Sequence, residues 1–222
     1  MKIPMSEIIR LEEQIGHREF QIISKKLAHQ DEVHLSLFSF DKNESVSQQS
    51  NSEDIVIYVL SGRVEVETSQ IYTATVGQVL AIPRNTLHRV YSVESSKVFQ
   101  ISTNKGEKEM EKFIQRVVHE EIINMADALE YEKGGVSSLA MVQRSDLTLT
   151  LMAFDAGEKI AAHSSNGDAL VQVLEGTAFI DIAGKPYQIP AGKSIVMPAN
   201  ISHAVAAEDG PFKMMLTVVK PI

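Results

Sequence analysis

Two histidines, His88 and His203, close runs of the same length and spacing: GQVLAIPRNTLH (Gly77 to His88) and GKSIVMPANISH (Gly192 to His203). A third, His163, precedes Ser165 and Asp168 within AAHSSNGDALVQVLEG. With no cysteine in the chain, thiolate metal sites, disulfides and cysteine nucleophiles are excluded. A metal here would be held by His, Asp, Glu, Asn or Gln, the nitrogen and oxygen donors that suit Mn, Fe, Ni, Cu or Zn.

No other chemistry competes. There is no glycine-rich phosphate loop, no Gly-x-Ser-x-Gly elbow and no His-Glu-x-x-His helix. The formal charge of −8 repels phosphate backbones, so nucleic acid is not an expected partner. Without tryptophan, and with few aromatic residues, the chain advertises no stacking platform. No apolar run reaches the roughly 18–20 residues that span a bilayer, so a membrane is not expected either. The opening MKIPMSEIIRLEEQ turns charged too soon for a signal-peptide core, which makes the cytoplasm the expected location.

The elements that position these residues follow from an internal repeat. Glu7-Ile8-Ile9 recurs as Glu121-Ile122-Ile123. At the same shift, LSLFSFDKNESV (Leu35 to Val46) lies over LTLMAFDAGEKI (Leu149 to Ile160), and SNSEDIVIYVLSG (Ser50 to Gly62) over SSNGDALVQVLEG (Ser164 to Gly176). One added residue later the two histidine runs coincide, and Lys97 with the apolar residues after it matches Lys213 and MMLT. The repeat predicts domains at 1–103 and 121–222, joined by the charged stretch 104–120, which has no counterpart. Each copy reads as short strands: Ile55 to Leu60 is a β-branched run ended by Ser61-Gly62, and Arg63 to Glu67 alternates polar with apolar. An all-β pair of sandwiches or barrels follows. EIIRLEEQI and EIINMADAL carry apolar residues at helical spacing and predict a short helix beside each barrel, with an edge strand as the alternative.

At this point a family resemblance becomes specific. Gly157, His163, Ser165, Asp168 and Gly176, followed by Gly192, Pro198 and His203, resemble the two motifs of the cupins, in particular small bacterial proteins of the conserved-barrel type. The resemblance implies a bicupin, two tandem double-stranded β-helix (jelly-roll) barrels. It also implies a His-x-His pair aimed into each barrel by strand alternation, a glutamate on the next strand, and a last histidine further on. The second copy departs from that pattern. His163 and His203 match metal-ligand positions, but Ser165 replaces the second histidine and Ala169 the glutamate, with Asp168 facing the other way. In the first copy Gln49 and Asn51 stand for the histidines and Ile55 for the glutamate, leaving His88.

The resemblance allows a divalent transition metal at His163 and His203, with pocket-lining histidines that hold no metal as the alternative, and none in the first barrel; a small polar ligand is expected to meet Gln49, Asn51, His88 and Ser165. Asp54 and Asp168 recur just before a strand and read as turn caps. His17, His29, His34 and His119 read as surface or packing residues, and Met152, Met197, Met214 and Met215 as adaptable core filling. The expected function is small-molecule binding. The alternatives are a metal-dependent isomerase, dioxygenase or decarboxylase acting on a small sugar acid, or a non-catalytic sensory or structural module. The two copies are expected to pack as an internal pseudo-dimer, in a monomer or a homodimer.

Overall fold

The structure, a computed structural model, describes residues 1–30, 32–104 and 119–220. Most of the linker expected at 104–120 lies outside the described residues.

The first copy forms β1 (Ile22–Gln30), β2 (Val33–Phe40), β3 (Gln49–Ser50), β4 (Glu53–Ser61), β5 (Arg63–Glu67), β6 (Ile71–Thr75), β7 (Gln78–Ile82), β8 (Leu87–Ser92) and β9 (Ser96–Asn104). The second forms β10 (Ile122–Asn124), β11 (Val136–Gln143), β12 (Leu147–Phe154), β13 (Lys159–His163), β14 (Asp168–Glu175), β15 (Thr177–Ile182), β16 (Lys185–Pro190), β17 (Ser194–Met197), β18 (His203–Ala206) and β19 (Phe212–Val219). Each copy folds into two facing antiparallel sheets. The larger sheets run β1-β2-β9-β4-β7-β10 and β11-β12-β19-β14-β17, and the smaller run β3-β8-β5-β6 and β13-β18-β15-β16. Even the irregularities are duplicated: a bulge at Leu27 in β1 recurs at Met141 in β11, and each bulged residue is buried between the barrels.

Strand β4 shows why its sequence is apolar throughout rather than alternating. Ile55, Ile57 and Val59 point into the first barrel, while Val56, Tyr58 and Leu60 point outward into a cluster shared by both barrels. On β14, Ala169, Val171 and Val173 face the second barrel's interior and Leu170 faces the shared cluster. There are thus three cores, one inside each barrel and one between them. The last joins Leu35, Leu37, Phe99 and Ile101 to Leu149, Leu151, Val196 and Met215. Full burial of each large aliphatic side chain there is worth about 1.5–3 kcal/mol, so the barrels are held together by a true core.

The repeated Glu-Ile-Ile segments cross that interface. Ile9 exchanges both backbone hydrogen bonds with Ser194 beside β17, at 2.9 and 2.8 Å. At the corresponding place in the other copy, Ile123 on β10 pairs with Val79 on β7. Each copy's entry segment therefore extends the other copy's sheet. Lys97 and Lys213 anchor these segments to their own barrels. The Nζ of Lys97 donates to the carbonyl of Glu12, and that of Lys213 to the carbonyl of Ala126, both at 2.7 Å. The helical spacing of these segments yields only a 3-10 turn at Leu11–Gln14 in the first copy; in the second, residues 122–124 are a strand. Pairing with a neighbouring sheet edge outweighs the weak helical preference of a short segment.

Candidate functional site

In the second barrel the site begins with a bulge. Along β13, Ile160 faces Val205 and His163 faces His203, three residues on one strand against two on the other. The extra residue re-phases the alternation, so that His163 shares the inward side of Ile160. The two imidazoles meet edge to face with centroids 4.5 Å apart, His203 buried and His163 exposed at the mouth. Each Nδ1–H donates to the carbonyl two residues earlier, Ala161 for His163 and Ile201 for His203, both at 2.9 Å. That bond fixes the tautomer and leaves Nε2 as the free ring atom. Burial, with the His163 ring alongside, holds His203 below the ordinary histidine range, partly opposed by the Ile201 bond.

Ser165 and Asp168 take no part in this pair. Strand β13 ends at His163, so alternation no longer governs Ser165. Its hydroxyl accepts from the Gly167 amide at 3.2 Å, and its carbonyl accepts from the Asn200 amide at 2.7 Å. The Asp168 carboxylate accepts from the amide of Ala199 at 3.1 Å and pairs with the amino group of Met1. Asp54 accepts from the Arg84 amide at the equivalent turn, at 2.9 Å. Both aspartates cap turns.

The first barrel repeats the same frame with different tips. Gln49 lies opposite His88, the pairing that His163 and His203 make in the second barrel. The Nδ1–H of His88 donates to the Thr86 carbonyl at 2.9 Å. Gln49, His88 and Gln100 line a cavity of about 260 Å³ whose remaining walls include Phe38, Phe40, Ile57 and Val98. Asn51 is not among its lining residues; its carbonyl accepts from the Asn85 amide at 2.7 Å, as Ser165 does for Asn200. Strand β3 ends before it.

The two interiors differ in their side chains, three positions of the last strand being smaller or more polar in the first barrel. Ser96, Val98 and Gln100 correspond to Phe212, Met214 and Leu216. In the second barrel Phe154 stacks on Phe212 with centroids 4.5 Å apart, and Met197 and Met214 pack in the same interior cluster. Gln100 escaped the sequence reading. Its signal was available, because it interrupts an apolar run that its counterpart continues.

Over its whole length this architecture matches known proteins. The chain is 30% identical to the Cupin 2 conserved barrel domain protein from Leptotrichia buccalis, over 99% of both chains, with a TM-score of 0.87. The chain belongs to the cupin family. A cupin-domain family profile matches residues 150–219, within the second barrel. At the level of fold alone it resembles a putative glyoxylate-induced protein from Pseudomonas aeruginosa, with 15% identity, TM-score 0.64 and coverage of 90% and 82% of the two chains. The salicylate 1,2-dioxygenase from Pseudaminobacter salicylatoxidans is similar in the same sense, with 12% identity, TM-score 0.63 and coverage of 88% and 76%. No curated protein matches.

As a cupin, the second barrel can be asked whether it fits a catalytic metal. Such centres usually take three protein ligands and leave a position open. Here two Nε2 atoms face the mouth, the glutamate position is Ala169 inside an apolar cluster, and the Asp168 carboxylate caps a turn. Among the described residues no three His, Asp or Glu side chains come together. The donor set does not fit a catalytic centre, and no reaction step is assigned to it.

The other histidines and methionines singled out in the sequence take surface or packing positions where the structure describes them. His17 lies 3.4 Å from Asp41 and His34 3.1 Å from Glu53, while His119 is exposed beside β7. The His29 side chain is outside the described residues. Met197, Met214 and Met215 are buried, and Met152 packs against the second barrel's interior. No helix among the described residues is long and apolar enough to cross a membrane.

Proposed function

We propose that this cupin is a small-molecule-binding bicupin whose principal ligand site is the interior of the first barrel. The observation that carries the reading is the cavity beside Gln49, His88 and Gln100. Enclosed pockets with apolar walls and a few convergent polar groups are the usual form of a small-molecule site. His88 is 3% exposed and its ring is already oriented by the Thr86 carbonyl, so the ordering cost on binding is low. Native mass spectrometry of untagged protein tests this reading. A small molecule should be retained by the intact protein and released on denaturation, and Val98→Met should reduce its retention. Retention unchanged in that variant would contradict the assignment.

The second barrel supports a subordinate reading, a divalent ion held by the Nε2 atoms of His163 and His203 with water or a ligand completing its shell. The paired, tautomer-fixed imidazoles favour it. Elemental analysis of the same preparation should show metal lost in the His163→Ala, His203→Ala double variant. Substoichiometric metal unchanged by the double substitution would remove this reading and leave the first untouched.

A further inference from the structure

The chemistry of the first barrel's cavity narrows what it takes, given that it is the ligand site. None of its lining residues carries a permanent charge, and His88 alone among them can gain one. An ion entering it would lose its hydration against at most one imidazolium, a cost that disfavours carboxylates and, more strongly, ammonium groups. The volume of about 260 Å³ sets the size. A dry engineered cavity of roughly 150 Å³ accepts benzene, and drug-sized ligands occupy about 300–1,000 Å³. One substituted ring fits between these limits. Phe38 and Phe40, with centroids 6.2 Å apart and planes 32° from parallel, supply aromatic walls for it.

The polar groups set the rest. Because the Nδ1–H of His88 is engaged by Thr86, Nε2 is the ring atom left to meet a ligand, and it accepts a hydrogen bond whenever the ring is neutral. The Gln49 and Gln100 amides make no hydrogen bond among the described residues, so both can donate and accept. We infer that the first barrel binds a neutral, single-ring organic molecule carrying a hydrogen-bond donor for His88 Nε2 and an acceptor for the glutamine amides. A primary aromatic amide has this chemistry.

Isothermal titration of the full chain with three near-isosteric probes tests it. Benzamide carries donor and acceptor, acetophenone lacks the donor, and benzoate is anionic. Benzamide should bind about tenfold more tightly than acetophenone, the cost of one unpaired buried acceptor, and benzoate should give no measurable heat. Gln100→Leu and Val98→Met import the side chains of Leu216 and Met214 from the second barrel. The first should weaken benzamide about tenfold, and the second should weaken it too, by crowding the ring, with thermal unfolding intact. If acetophenone or benzoate matches benzamide and Val98→Met weakens both, the ligand class is wrong while the site stands. If benzamide does not bind, or binds equally to Val98→Met, site and class fall together. Should Val98→Met fail to fold, the Gln100→Leu titration decides: an unchanged affinity overturns the inference.

Discussion

The two barrels share a frame and differ in what fills it. The same turn caps (Asp54 and Asp168), the same anchoring lysines (Lys97 and Lys213) and the same inward histidines (His88 and His203) recur in both. At the mouth, Gln49 in one stands where His163 does in the other. In the interior, Val98 and Gln100 stand where Met214 and Leu216 do. The copies share the positions that hold the fold and differ at those that line the barrel mouths and interiors. The outer faces of the small sheets diverge too. Arg89 and Tyr91 cover the first sheet, Arg89 donating to Ser45 at 3.1 Å and Tyr91 to Asn43 at 2.8 Å. The matching Ala204 and Ala206 instead floor a groove of about 420 Å³ beside Phe179 and Tyr187.

The largest expected break in this comparison is in the packed interior. Phe212→Ala removes a fully buried ring stacked on Phe154 and should cost about 3–5 kcal/mol in denaturant unfolding. Val98→Met in the hollow barrel should stay within about 1 kcal/mol of the parent or stabilise it, because the added atoms enter existing space. Equal losses in the two variants would mean that the interiors are packed alike.

A smaller effect is expected at the caps, larger at Asp168, which also pairs with the Met1 amino group. Asp54→Ala and Asp168→Ala each remove a charge-assisted bond to a turn amide, and should cost about 1–3 kcal/mol apiece while leaving benzamide binding unchanged. A large loss of binding in either would make that aspartate part of a site.

The smallest effect separates the mouths by pH. His203 is depressed in the folded chain, chiefly by burial, so below the ordinary histidine value of about 6.5 the unfolded state binds more protons. The stability tied to neutral His203 is present above that value and is lost as pH falls toward the folded one. Unfolding free energies between pH 8 and 5 should therefore fall less steeply in His203→Gln than in the parent. Identical slopes would show that the ring titrates freely.

Much of this was legible in the sequence, for a physical reason. Two copies in register over Leu35 to Val46 and Leu149 to Ile160 expose the positions that both barrels must keep, and the cupin motifs lie on those positions. The meeting of His163 with His203 was implied by the resemblance to the cupin motifs and not by the repeat. The exchange of Ile9 and residues 122–124 between barrels did not, because local spacing carries no information about which sheet edge lies nearby. Ser165 and Asn51 were expected beside the histidines by strand alternation. Their strands stop short of them, and both serve turns through backbone carbonyls. The polar tip of the cavity depends on Gln100, whose difference from Leu216 shows only when the copies are compared residue by residue.

The assignment of the ligand to the first barrel and not the second is tested most directly by methyl NMR during a benzamide titration. Saturable shifts should appear at Val46, Val90 and Val98 in the first barrel, with Val171 and Val205 of the second unmoved. Shifts centred on Val205 and Val171, with Val98 silent, would contradict it.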